Sequence, residues 1–173
     1  SKGSIINGFD AGVTFHHNLY AHNADRNPRM ASIPELPGLL LDFRNNVIYD
    51  WGYQSGYSGK EYGRLNYVGN YLRPGPSTSR SVRFAFRPGS DRTKLFFDAN
   101  RMDDAPDSAS AHNALIKWDQ ASLDQVRVSE PFPAPRLQTQ SADEARKLVL
   151  AGTGATLPRR DRIDESIVAD VAN

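Results

Sequence analysis

The 173-residue sequence has no cysteine, which excludes a disulfide framework and a cysteine-based zinc site. No apolar run approaches the length of about 18 residues that a membrane-spanning helix needs, so we predict no membrane segment. A disordered chain is also excluded, because 39% of the residues are hydrophobic and 8 Phe and 7 Tyr can contribute to a core. The lack of cysteine suits a secreted or periplasmic protein, although cytosolic proteins can lack it too.

Basic and acidic side chains nearly balance, and the formal net charge is +1. The two parts of the chain differ, however. Residues 1–101 carry 13 basic and 8 acidic side chains, a net charge of +5, whereas residues 102–173 carry 8 basic and 12 acidic ones, a net charge of −4. We therefore expect an anionic partner to bind the first part.

Hydrophobic patterning indicates short strands in the first part of the chain and helices near its end. Strands are predicted at 13–20, 39–49, 64–72, 82–86 and 94–97, with loops at 28–38 and 52–63 between them. Residues 104–113 are predicted to be irregular and 126–135 to form an extended strap. Ser141 and Glu144 form a capping-box pattern that predicts a helix to about Leu150, and a second helix is expected at 164–171.

Asparagine recurs in one local setting along the strand region. Asn18, Asn46, Asn70 and Asn100 are separated by 28, 24 and 30 residues, and a hydrophobic pair or triplet with tyrosine follows the first three. Such a period is typical of solenoids, and stacked asparagines can hydrogen-bond from one coil to the next. The repeat predicts a parallel β-helix. A β-sandwich with asparagine-rich turns is the alternative that the repeat alone leaves open.

The longest motif is Val13-Thr-Phe-His-His-Asn-Leu-Tyr-Ala-His-Asn-Ala-Asp-Arg-Asn-Pro-Arg29. It resembles the signature of polysaccharide lyase family 1, the pectate lyases, in which a Val-Thr-Phe-His-His-Asn strand precedes an Arg-x-Pro-Arg turn. Similar matches continue through residue 76 and return over 141–171. The chain is thus identified as resembling the C-terminal portion of these enzymes.

The resemblance implies a right-handed parallel β-helix that cleaves polygalacturonate, an acidic pectic polysaccharide, by β-elimination. Arg26 matches the family's catalytic arginine, which takes the C5 proton, although arginine is almost always protonated in water. Lys2 matches the family's substrate-binding lysine and is expected to take part in catalysis beside Arg26. Pro28 restricts Asn27 to extended conformations in the loop that presents Arg26.

Other residues are expected to bind the substrate. Arg29 can hold a carboxylate in a bidentate manner, and Tyr53 and Tyr57 can stack on sugar rings or pack against the coil. Many family members carry a second functional arginine five residues after the catalytic one, where this chain has Ala31. We expect Arg29 or Arg44 to supply that charge, or else a weaker stabilisation of the transition state.

Calcium is the cofactor that the resemblance implies. Family members hold it with Asp and Glu on coils that precede the Lys2 region, whereas residues 1–25 contain only Asp10 and Asp25. We therefore predict no metal ligands in this chain and expect them in upstream sequence. The start at Ser1 without an initiator Met is also typical of a piece of a longer protein, so the expected partners are the acidic polysaccharide and an N-terminal segment of the same protein.

The predicted organisation is β-helix coils with part of the active site at 1–103 and a loop-and-helix wrap at 104–173. Three alternatives remain. A non-catalytic β-helix that binds acidic glycans is favoured by Ala31 and the missing carboxylates. Nucleic-acid binding by the basic part lacks a recognised motif, and no nucleic acid or membrane partner is expected. A zinc site at His16, His17 and His22 lacks suitable ligand spacing.

Overall fold

The computed structural model describes residues 1–8, 12–32, 35, 37–106, 108–117 and 122–173, with the side chain of residue 109 left out of the description. Twelve short strands occupy the first part of the chain. They are β1 (Ile5–Asn7), β2 (Gly12–His16), β3 (Leu19–Ala21), β4 (Arg29–Ala31), β5 (Leu39–Arg44), β6 (Val47–Tyr49), β7 (Gly56–Ser58), β8 (Gly63–Val68), β9 (Tyr71–Arg73), β10 (Phe86–Arg87), β11 (Thr93–Asp98) and β12 (Arg101–Met102).

These strands form three parallel sheets of four strands each. The first sheet has the order β1-β4-β7-β10, the second has β11-β8-β5-β2 and the third has β12-β9-β6-β3. Each turn of the chain therefore gives one strand to every sheet, and every strand pairs with its counterpart in the next turn. This arrangement is a parallel β-helix, which confirms the predicted fold class and excludes the β-sandwich.

The asparagine ladder forms at the bend between the second and third sheets. The amide oxygens of Asn46, Asn70 and Asn100 accept bonds of 3.0, 2.9 and 2.9 Å from the backbone N–H of the preceding ladder residue. A residue with positive φ precedes each ladder asparagine: His17 (55°), Asn45 (52°), Gly69 (61°) and Ala99 (53°). The left-handed residue turns the chain, and the asparagine then satisfies the backbone groups exposed at the bend.

Stacked side chains fill the interior. Leu41, Leu65 and Leu95 are fully buried and occupy matching positions of β5, β8 and β11. Tyr67 stacks between Phe43 and Phe97, with ring centroids 5.3 and 5.5 Å apart. Because parallel pairing places like residues above one another, the alternating strand pattern becomes continuous apolar columns inside the coil.

Among the described residues, four helices follow the strands: α1 (Ala109–Ala114), α2 (Leu123–Val126), α3 (Ala142–Gly152) and α4 (Arg162–Ala172). The capping box of Ser141 and Glu144 at the start of α3 is confirmed. Asp161 caps α4, which begins two residues before its predicted start. Both helices cover the third sheet, where Val149 and Val171 join a cluster with Val47. No helix of the described residues is long and apolar enough to cross a membrane.

The extended segment 127–140, which includes most of the predicted strap and is called the strap from here on, is fastened to the coils by two buried asparagines. The side chain of Asn66 donates to Phe132 O (3.0 Å) and accepts from Phe132 N (2.9 Å). Asn45 makes the same pair of bonds with Gln140, at 2.8 and 3.0 Å. These asparagine side chains thus supply hydrogen-bond partners to the backbone of two strap residues.

The sequence-based prediction was wrong about several segments. The predicted loops 28–38 and 52–63 contain β4 and β7. The predicted strand 82–86 begins at the end of a 3₁₀ turn (Arg80–Val82), is irregular at 83–85 and reaches β10 only at Phe86. The irregular stretch 104–113 contains most of α1. Strands of two or three residues carry too little alternation to stand out among proline and glycine, and they exist because neighbouring coils supply their hydrogen bonds.

Candidate active site

Lys2 and the Arg26 turn lie side by side in successive coils. Lys2 pairs with Asp25 in a parallel bridge. The next two residues continue the pairing, since Gly3 N donates to Asp25 O (2.9 Å) and Ser4 N donates to Arg26 O (2.8 Å). Neighbouring strands lie about 4.8 Å apart, so the backbones that carry Lys2 and Arg26 are fixed close together.

The backbone of Arg26 is left-handed, with φ at 65°. For a residue other than glycine this conformation carries a cost of about 1–2 kcal/mol, so the surrounding hydrogen bonds must hold it. The Arg26 side chain is 25% exposed, and its Nε lies 3.9 Å from Asp25 Oδ1. The turn therefore presents a partly buried guanidinium beside a carboxylate.

Arg29 stands on the outer face of the first sheet in a row with three other residues. Successive coils align Ile5, Arg29, Tyr57 and Arg87 in register. The guanidinium carbons of Arg29 and Arg87 lie 5.9 and 6.0 Å from the centre of the Tyr57 ring. Glu61 Oε1 is 3.9 Å from Arg29 Nη2. The row is therefore basic and aromatic.

Buried side-chain atoms without a hydrogen-bond partner gather around this turn. Within the described part of the chain they include Asp25 Oδ1, Arg26 Nε, Asn27 Oδ1, Arg29 Nε and Glu61 Oε2. Native proteins rarely leave such groups unsatisfied. Their concentration here is typical of a site whose polar groups are completed by water or a ligand.

Tyr53 adds an exposed aromatic side chain next to the Arg26 turn. Its backbone N–H bonds Ala24 O at 2.6 Å, and the residue is 76% exposed. Ile5, in the neighbouring coil, is 48% exposed. Large apolar surface left open beside clustered cations is typical of a binding surface rather than of packing.

Arg44 lies on the second sheet, away from Lys2, Arg26 and Arg29. Its Nε bonds Asp42 Oδ2 at 2.8 Å, and its Nη1 bonds Thr139 Oγ1 of the strap at 3.0 Å. Because Asp42 is almost fully buried, the pair neutralises an interior carboxylate and fastens the strap. The structure therefore does not bring Arg44 together with the other predicted site residues.

Ala31 lies on β4 two residues after Arg29 and pairs with Asn7. Side chains two apart on a strand share a face, so Ala31 faces the same side of the sheet as Arg29, but it is buried there. It contributes no charge there. Sequence reasoning did not single out Asp25, Glu61 or Arg87, although Asp25 could have been found from its position beside Arg26.

The histidines do not form a metal centre. Among the described residues no group of three His, Cys, Asp or Glu side chains is arranged to hold a metal ion. His16 Nδ1 lies 2.9 Å from His17 Nδ1, and His22 Nδ1 lies 2.9 Å from Asp50 Oδ2. Burial, with a smaller contribution from His16, lowers the pKa of His17. His16 and His17 thus contact each other, and His22 contacts the next coil; His17 Nε2 also lies 3.1 Å from Gln140 Oε1.

Comparison with known proteins gives fungal relatives over nearly the whole chain. Proteins named "Probable pectate lyase C" from Aspergillus flavus and Emericella nidulans are each 32% identical to it over 94% of its length. The one from Neosartorya fischeri is 32% identical over 99%. The chain is a homologue of these probable pectate lyases. No family model matches it.

The pectate lyase homologue spans only part of those relatives. It covers 37%, 36% and 39% of their respective lengths. The resemblance read from the motif at residues 13–29 is confirmed, and so is the expectation that the chain corresponds to a partial region of such proteins.

Proposed function

We propose that the chain forms part of a lyase that cleaves polygalacturonate by β-elimination. The observation that carries this proposal is the convergence of Lys2, Arg26 and Arg29 at one turn of a parallel β-helix in a homologue of pectate lyases. The coil part at 1–103 would carry this surface, and the part at 104–173 would wrap it.

In the proposed reaction, Arg26 acts in its neutral form, after losing a proton to solvent, and a guanidine nitrogen takes the proton from C5 of a galacturonate residue. The electrons of the C5–H bond form a C4=C5 double bond, the bond from C4 to the glycosidic oxygen breaks, and the released oxygen takes a proton from water. Removal of a proton next to a carboxylate builds negative charge that nearby cations stabilise. Lys2 and Arg29 would bind the uronate carboxylates, while Tyr53 and Tyr57 would contact the sugar rings.

The test is the ultraviolet absorbance of the unsaturated product when the complete protein is mixed with polygalacturonate. Arg26→Ala is expected to reduce turnover by about 10²-fold or more, the usual contribution of a general base. Lys147→Ala, on the exposed face of α3, is the charge-matched control and should leave the rate unchanged. No rise in absorbance with the unaltered protein would refute the proposal.

A non-catalytic β-helix that binds acidic glycans is the second candidate, and it is favoured by the uncharged Ala31, which stands where many pectate lyases carry a second functional arginine. In that case the complete protein would retain affinity for polygalacturonate without forming unsaturated product. Arg26→Ala would then weaken binding modestly and have no turnover to remove.

Calcium belongs to the proposal as a cofactor of the complete protein. The described residues do not fit it, because Asp25 and Glu61, the carboxylates beside the Arg26 turn, each face an arginine at 3.9 Å. We therefore propose that its ligands lie in upstream sequence. Chelation should stop turnover by the complete protein, and added Ca²⁺ should restore it.

We also propose that an N-terminal segment of the same protein packs on the first coil. β1, β2 and β3 are the outermost strands of their sheets. Val13 and Phe15 are only partly buried, whereas their partners in the next coil, Leu41 and Phe43, have no exposed surface. An upstream coil would cover that surface. Secretion or export to the periplasm fits a polysaccharide substrate.

A further inference from the structure

A cleft lies on the outer side of the second sheet, whereas Lys2 and the Arg26 turn lead into strands of the first sheet. It has a volume of about 530 Å³ and lies between the turns that lead into β8 and β11 and the strap. Its lining includes Tyr62, Arg64, Asp91, Arg92, Lys94 and Phe132. We call it the Tyr62 cleft. None of these residues belongs to the surface assigned above to the reaction.

The cations of the Tyr62 cleft are fixed by the coil. Lys94 and Arg64 pair in register on β11 and β8, about 4.8 Å apart between strands. The Arg92 guanidinium stacks over the Tyr62 ring, with its carbon 5.1 Å from the ring centre. Asp91 is the carboxylate in the lining set. The lining is therefore predominantly positive, which favours an anionic ligand.

Lys94 and Arg92 both keep N–H donors for such a ligand. The Lys94 ammonium gives one N–H to Gln125 O at 2.6 Å, and an ammonium has three. Arg92 and Lys94 are both exposed. A guanidinium stacked on an aromatic ring still presents its N–H edge, so Arg92 can meet a carboxylate while Tyr62 supports it from one face.

Aromatic rings supply the other half of the recognition. Phe132 is half-buried, and the two bonds from its backbone to Asn66 fix its position on the strap. Tyr62 also lines the cleft and lies beside Arg92. Flat aromatic faces suit the C–H surfaces of a pyranose ring, and charged donors suit its carboxylate. A ring that carries a carboxylate matches both walls.

We propose that the Tyr62 cleft binds a uronate residue and anchors an acidic polysaccharide away from the Arg26 turn. The choice of polymer rests on the proposed function, but the binding requires no catalysis. A polymer that is held at two places on the same protein has a higher effective concentration at each of them. The cleft would therefore increase retention on long chains and leave the cleavage of short oligomers unchanged.

The test is gel electrophoresis of the complete protein through immobilised polygalacturonate, with neutral galactan as the reference gel. The double variant Arg92→Ala/Lys94→Ala is expected to raise the dissociation constant for polygalacturonate about tenfold, as the loss of charged hydrogen bonds does. Arg92→Lys/Lys94→Arg should retain most of the binding, and Lys147→Ala/Arg159→Ala, both exposed, is the charge-matched control.

Three outcomes would overturn the proposal. One is an Arg92→Ala/Lys94→Ala variant that melts normally and binds as the unaltered protein does. Another is an equal loss in the Lys147→Ala/Arg159→Ala control, which would indicate unspecific attraction. The third is displacement by inorganic phosphate as effective as that by trigalacturonate, which would indicate a general anion site. Turnover of trigalacturonate tests the lyase proposal separately, because it depends on Arg26.

Discussion

Asn70 shows how one side chain can join three coils. Its amide oxygen accepts from Asn46 N at 2.9 Å, and its amide nitrogen donates to Phe43 O at 3.0 Å and to Asn100 Oδ1 at 2.9 Å. The residue has no exposed surface. The 24- and 30-residue spacings on either side of it are therefore enforced by buried hydrogen bonds and not only by hydrophobic packing.

Replacing Asn70 by alanine is expected to lower the free energy of unfolding by about 3 kcal/mol, because three buried partners each lose a bond worth about 1 kcal/mol. The matched control is Asn18→Ala at the exposed end of the ladder, for which about 1 kcal/mol is expected. Urea unfolding of both variants provides the measurement. Equal losses at the two positions would contradict a ladder that depends on burial.

His17 should make stability depend on pH. Burial lowers its pKa from the usual 6.5, so between the lowered pKa and 6.5 the unfolded chain binds more protons than the folded one. The contribution of His17 to stability is then fully present above pH 6.5 and is lost as the pH falls through this window. His17→Asn, which tolerates the left-handed backbone, should flatten the change in urea midpoint between pH 7.5 and pH 5. An unchanged slope would contradict this assignment.

The residues of the site were only partly predictable. Arg26 and Arg29 stand in the motif at residues 13–29, and Lys2 was expected from the resemblance alone; the backbone pairing of Lys2 with Asp25 brings the three residues to one place. Arg44 was expected to supply charge there, but the register of β5 places it on another sheet beside Asp42. Which sheet a residue joins depends on the length of every turn before it, and one sequence does not reveal those lengths.

At the scale of elements, the start of α3 is set by hydrogen bonds between residues that are close in sequence. The Ser141 side chain accepts from Glu144 N, and Glu144 in turn accepts from Ser141 N at 3.1 Å. These signals are local, so the sequence alone predicted the start of the helix. Ser141→Ala is expected to cost about 1 kcal/mol of stability.

The control for Ser141→Ala is Ser122→Ala at the start of the four-residue α2. A smaller loss is expected there, because less structure depends on that cap. Thermal or urea unfolding of the two variants would show the difference. A larger effect at Ser122 would mean that α2 contributes more to the fold than its length suggests.

The first sheet illustrates the opposite case, since β4 and β7 were expected to be loops. Met30 is buried in β4, yet proline and glycine surround it in sequence. Each of these strands exists because its neighbours in adjacent coils offer a complete set of backbone partners. Because these strands depend on distant segments, the ten or so residues around each of them do not predict it.

For the whole molecule, the partly exposed Val13 and Phe15 in the outermost coil predict self-association. Open strand edges with apolar side chains pair readily with other chains. The 173-residue chain alone is therefore expected to elute in size-exclusion chromatography as oligomers or aggregates, whereas the complete protein should be monomeric. A stable monomer of the isolated chain would count against the proposed N-terminal segment.

The left-handed residues before each ladder asparagine have a consequence for engineering. Because every coil leaves the second sheet through the same bend, a segment that runs from one bend to the next is an interchangeable module. Duplicating the segment from Asn46 to Gly69 would lengthen the molecule by about 4.8 Å, one strand spacing. The protein could in this way serve as a scaffold of adjustable length, on which binding side chains are repeated at a chosen interval.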